Sequence, residues 1–112
     1  MKIFIPERWR REVAAILHRG RRGTIHVPKE PRRTWQNLDP QHFEAMLYVV
    51  LADQLDALGE LPGKKHTMIE DGECYSFTFH YHPPSAQGSV ELYTKLNLLP
   101  DGQVVIIYSA HT

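Results

Sequence analysis

Apolar residues recur at helical spacing in the first half of the chain and at strand spacing in the second, with the change near Leu61. Trp9, Val13, Ile16 and Leu17 repeat at i, i+4, i+7 and i+8, behind a Pro6 that suits the first turn of a helix. This spacing predicts a helix over 7–19, closed by Gly20, with Arg8, Arg11, Glu12 and Arg19 on its polar face. The stretch from Arg21 to Arg33, punctuated by Pro28 and Pro31, reads as a basic connection with a short strand at Thr24–Val27. A second helix is expected over 40–58, with Asp39 as N-cap, Pro40 at the first helical position and Gly59 just past the end. Its apolar stripe, Phe43, Met46, Leu47, Val50, Leu51, Leu55 and Leu58, is wide enough for a largely buried helix and reads as core, as does Trp35.

Beyond Leu61 the period is two. A short strand is expected at His66–Glu70, ending in the turn Asp71-Gly72. In Cys74–His82 the aromatic set Tyr75, Phe77, Phe79 and Tyr81 alternates with Ser76, Thr78, His80 and His82. In Val90–Leu98, Val90, Leu92, Leu96 and Leu98 point inward, and Glu91, Tyr93, Lys95 and Asn97 outward. The turn Pro100-Asp101-Gly102 leads into a last strand, Gln103–Ala110. The pattern predicts an α+β fold: two helices, then a three- to four-stranded antiparallel sheet with Val90–Leu98 in the middle.

Composition narrows this picture. A length of 112 residues gives one domain and one core, and 42% apolar with 23% charged residues is ordinary for a globular chain. The longest apolar run, Ala45–Ala52, is too short to span a bilayer, and Met1–Trp9 does not have the form of a signal peptide. The one cysteine, Cys74, cannot form an internal disulfide, so a reducing cytoplasm is the expected location. No cofactor is expected.

The formal net charge of zero hides an asymmetry. Residues 1–33 hold ten Lys/Arg against three acids, and the remainder holds three bases against ten acids. A basic end on a compact domain is a candidate phosphate footprint, here centred on Arg21, Arg22, Arg32 and Arg33. A solvated helix face is the competing reading.

Strand alternation then restricts which residues meet, because a one-residue slip exchanges the two faces. Phe79 is expected opposite Leu92 and His80 opposite Glu91. If Leu99 pairs with Gln103, Glu91 opposes His111 and Tyr93 opposes Ser109. One face would then gather His80, Glu91, Tyr93, Lys95 and His111. RNA cleavage without a metal requires such groups: a base for the 2′-hydroxyl, a cation for the phosphorane and an acid for the leaving oxygen. Glu91 is the expected base, His80 or His111 the acid, Lys95 the cation and Tyr93 a phosphate or base contact. A wet, charge-decorated sheet face is the bland alternative. His80-Tyr81-His82 with His66 or His111 is a weaker metal-site reading, and Cys74 reads as a packed thiol rather than a nucleophile.

Three stretches resemble the motility quorum-sensing regulator toxins, which belong to the RelE-like ribonucleases. His66-Thr67-Met68-Ile69-Glu70-Asp71 is similar to that family's His-Thr-Ile-Trp-Gln-Asp, Val90–Leu96 to its Val-Tyr-Leu-Lys-Val strand, and Val104–His111 to its last strand. Val13–Gly20 matches only in outline. The resemblance implies a RelE-like, barnase-like domain over 1–112 that cleaves mRNA and pairs with an antitoxin. By position, Tyr93 matches the family's tyrosine, Glu70 stands for its glutamine and His111 for its terminal lysine, while its other lysine has no firm match. A non-enzymatic binding protein, such as an immunity protein, an antitoxin or a phage-encoded inhibitor, is the alternative of a different class.

Overall fold

A computed structural model describes residues 3–21, 23–38, 44–57, 59–67, 71–82 and 88–111, with the side chains of 34, 38, 44, 45 and 107–111 outside the description. The chain runs β1 (Ile3–Phe4), α1 (Glu7–Arg19), β2 (Ile25–His26), α2 (Lys29–Leu38), α3 (Glu44–Asp56), β3 (Pro62–His66), β4 (Glu73–Tyr81), β5 (Val90–Leu98) and β6 (Val104–His111). The strands form one sheet in the order β1-β3-β4-β5-β6-β2. Pairing is antiparallel from β1 through β6, and β2 joins β6 in parallel.

The fold is α+β, and β4–β5–β6 is the expected meander with Val90–Leu98 in its centre. Three helices and six strands replace the two helices and three to four strands expected among these residues. The added helix, α2, occupies the proline-punctuated connection. Pro31 sits in its first turn, where a backbone N–H has no helical partner, so proline costs nothing there. Strand β3 begins at Pro62 rather than at His66, so the expected strand is displaced upstream. The proposed helix start at Asp39 and Pro40, and Phe43 and Leu58, lie outside the described residues.

One face of the sheet carries the helices. Trp9 of α1 meets Tyr75 edge-on at 4.9 Å and donates its indole N–H to the Glu73 carbonyl at 2.9 Å. Trp35 of α2 meets Tyr81 at 5.6 Å. Leu47, Leu51 and Leu55 of α3 join Val13, Leu17, Phe77, Phe79, Leu92, Leu96 and Ile106 in the core. Met46, read as core, is instead 39% exposed with Val49 beside it. The buried stripe of α3 runs along Leu47, Leu51 and Leu55, and Met46 falls off it. Gly20 adopts the left-handed conformation that ends α1 and returns its N–H to the Ile16 carbonyl.

A bulge decides the last register. Leu98, Asn97 and Leu96 pair with Val104, Val105 and Ile106 as expected, but Lys95 then pairs with Tyr108. One extra β6 residue is inserted there, so Tyr93 opposes Ala110 and His111 opposes Leu92. The expected pairings of Glu91 with His111 and Tyr93 with Ser109 are therefore corrected.

Candidate functional site

Alternation along β3, β4 and β5 puts one set of polar residues on the face without helices, while Lys65, Glu73 and Thr94 fall on the other. Register aligns the first set in rows across the strands: His66, Cys74 and Asn97; Lys64, Ser76 and Lys95; Thr78 and Tyr93; His80 and Glu91. Adjacent strands lie about 4.8 Å apart, so Lys64 and Lys95 stand roughly 10 Å apart at Cα with Ser76 between them. Gly63 makes this arrangement possible. A Cβ there would collide with the Ser76 carbonyl and the Ile5 side chain, so only glycine lets β1 close on β3 while Pro62 and Lys64 keep their places.

His66 is half-buried, and its Nε2 lies 2.7 Å from Ser76 Oγ. Burial first, and then the charges of Lys95 and Lys64, hold its imidazole below the ordinary histidine range. The ring is therefore neutral at pH 7, with a nitrogen able to accept a proton. Neither lysine is paired with a carboxylate among the described residues. In the register Lys64 and Lys95 flank buried Ser76, with the imidazole of His66 beside it, so this row is a candidate anion site with a proton acceptor at its edge. A depression of about 260 Å³ opens next to it, lined by Pro62, Gly63, Lys64, Ser76, Phe77, Thr78 and Tyr93.

The residues singled out from the sequence fall on this face unevenly. His80 Nε2 and Glu91 Oε2 are 4.0 Å apart, both in solvent, a contact of small energetic weight. Tyr93 is half-buried at the depression, and half-buried Lys95 belongs to the candidate anion site. Glu91 and Lys95 stand four positions apart along β5, roughly 13 Å. One phosphate held at Lys95 therefore does not also rest on the His80–Glu91 pair. The backbone of His111 is opposite Leu92, and its side chain is outside the described residues, as are Arg22 and Glu70.

The basic third is divided. Arg8 grips Glu73 with two contacts of 2.8 and 2.6 Å, Arg11 pairs with Glu7, and Arg10 is buried against α3. Arg21, Arg32 and Arg33 are exposed. Arg32 and Arg33 ride on α2, which docks through Trp35 on the helix-covered face, and Arg21 precedes β2 at the far edge of the sheet. Among the described residues no three His, Cys, Asp or Glu side chains converge as a metal site, and no helix is long and apolar enough to cross a membrane.

Cys74 is fully buried on this face, and burial pushes its thiol up to about 11 against a smaller opposing effect of Lys95. At pH 8 it should resist a thiol reagent in the folded protein and react at once in denaturant. Rapid native labelling would mean that the His66 row opens readily. The sign for stability follows: the native state keeps the proton, so this contribution is lost as pH rises from 9.0 towards 11.

Lys64, and the place of His66 beside Ser76, are what sequence reasoning missed. The available signal was the alternation Pro62-Lys64-His66, hidden because Pro62 and Gly63 read as breakers, although proline is tolerated as the first residue of a strand. Compared with family models, curated proteins and solved structures, the chain matches none.

Proposed function

We propose that the protein is an endoribonuclease that cleaves RNA without a metal ion on the open face of its sheet, within a RelE-like toxin fold. The observation that carries this reading is the row Lys64–Ser76–Lys95 with His66 beside it. In the reaction His66 takes the proton of a ribose 2′-hydroxyl, and the 2′-oxygen attacks the adjacent phosphorus. Lys64 and Lys95 hold the charge that builds on the phosphorane oxygens. The P–O5′ bond breaks, and the Lys95 ammonium gives its proton to the leaving 5′-oxygen. The products are a 2′,3′-cyclic phosphate and a 5′-hydroxyl. Proton and charge balance without a co-reactant.

Cleavage of a long single-stranded RNA in EDTA tests this. The wild type should cut, and Lys64→Met and Lys95→Met should each lose roughly 10²–10³-fold, the usual cost of removing one preorganised stabilising group. Cleavage abolished by EDTA, or unaffected by both substitutions, removes the mechanism. Binding to a non-cleavable strand should weaken steeply with salt, and each lost phosphate contact should flatten the log–log slope by about 0.7. If Arg21, Arg32 and Arg33 track the strand beyond the lysine row, neutralising them lowers the slope too. An unchanged slope assigns those arginines to another partner.

In this reading expression alone arrests growth, and a small antitoxin from a neighbouring gene relieves the arrest. A chain that is harmless in cells and inert towards RNA is instead a binding protein.

A further inference from the structure

We propose that the depression beside the lysine row is a slot for one unpaired nucleobase, which makes single-stranded RNA the substrate; the inference deepens the RNA-cleavage reading and rests on it for the phosphate. Lys64 pairs with Ser76, which places Pro62 level with Thr78, and Thr78 pairs with Tyr93. The apolar ring of Pro62 and the half-buried ring of Tyr93 thus stand on the two strands flanking Thr78, roughly 10 Å apart at Cα. A flat ring in van der Waals contact on both faces occupies about 7 Å of that span. The volume agrees: about 260 Å³ lies just under the roughly 300–1,000 Å³ of clefts that hold drug-sized ligands, and suits a fragment such as one base.

Thr78 and Tyr93 lie two residues along their strands from Ser76 and Lys95, roughly 7 Å. That is the order of the separation between a phosphate and the base of the same nucleotide. A base in the slot therefore leaves its phosphate over Lys64 and Lys95, within reach of His66. Thr78 is exposed at the floor and offers a hydroxyl to the base edge, with Glu91 and His80 one row further on. A base within a duplex cannot enter without leaving its stack, so paired RNA is excluded.

The test uses short RNA strands made non-cleavable by a 2′-deoxy sugar, each with one nucleotide carrying or lacking its base. Tyr93→Ala should weaken binding of the base-containing strand by about 5- to 150-fold, the range for loss of one stacked base. Tyr93→Phe should keep most of the affinity, because the ring remains. Removing the base should cost the wild type a similar factor and Tyr93→Ala almost nothing further. Thr78→Tyr, at an exposed position, should fill the slot and weaken the base-containing strand alone, which covers the case of a Tyr93 variant that does not fold. Equal loss on both strands, equal affinity for duplex, or no binding by the wild type overturns the slot. Base-dependent binding without cleavage by the wild type on the all-ribose strand would support the slot and sink the nuclease. Cleavage indifferent to the missing base would do the reverse.

Discussion

Replacing His66 by alanine should lower RNA cleavage by roughly 10²–10⁴-fold, the span typical of a general acid–base residue, while leaving the fold intact. The ring is only half-buried on the sheet face without helices, and its one described side-chain partner is Ser76 Oγ. The pH dependence identifies the mechanism more sharply than the loss of rate. A base must be unprotonated, so activity should fall on the acid side as His66 takes up a proton. Burial, Lys95 and Lys64 lower its pKa in that order, so the acid limb should lie below the ordinary histidine value of about 6.5. Lys64→Met removes one of those cations and should move the limb upward, together with the proton NMR titration of the His66 ring. The NMR shift needs no activity, so it tests the electrostatics even in a weak enzyme. A limb that stays in place when either lysine is lost would mean another group is the base. The same depressed pKa makes stability fall as pH drops from about 6.5 towards the native value, because the unfolded chain then binds the extra proton.

Where both members of a strand pair alternate cleanly, the sequence alone makes their register legible. Phe79 with Leu92 and His80 with Glu91 follow from two unambiguous period-two patterns that must put their apolar sets on one face. The final strand has no such pattern. Val104-Val105-Ile106-Ile107 is apolar at every position and Ser109-Ala110 is small, so a slip of one residue carries no visible burial cost and the bulge leaves no trace. That silence moved His111 to the wrong partner. The helix α2 was hidden for another reason: Pro31, Trp35 and Leu38 do repeat at i, i+4 and i+7, but two prolines and the charges of Lys29, Glu30, Arg32 and Arg33 make the segment read as a connection. The site suffered most from β3. Its Lys64 and His66 join the candidate site only through their pairing with Ser76 and Cys74, a partnership across a hairpin that polar, glycine-containing residues do not announce. The candidate cluster at Lys95 and Tyr93 was therefore half visible. The half contributed by the long strands could be read; the half contributed by the short edge-side strand could not.

The largest effect on stability is expected at Arg10, far from the open face. Arg10 is 6% exposed, and its guanidinium donates from Nε to the Leu55 carbonyl at 3.0 Å, from Nη2 to Ala57 at 2.7 Å and from Nη1 to Gly59 at 2.8 Å. These carbonyls belong to the end of α3 and the residues just beyond it, where helical geometry leaves C=O groups without partners. The last turn of α3 has no basic residue of its own, so α1 supplies the cation that both satisfies these acceptors and complements the helix dipole. Arg10→Met keeps much of the packed stem but removes three charge-assisted donors. Such bonds are worth about 1.5–3 kcal/mol each and are not additive; the exposed Ala57 and Gly59 regain water while Leu55 does not. A net loss of about 3 kcal/mol is expected, which for a domain of this size lowers Tm by roughly 10 °C or more. Arg10→Lys restores the charge but not the fork, and should recover less than half of the loss. Thermal and urea unfolding of the three proteins decides the matter. A Tm for Arg10→Met within about 2 °C of the wild type would mean that the end of α3 is held by its apolar contacts with α1 and not by this guanidinium.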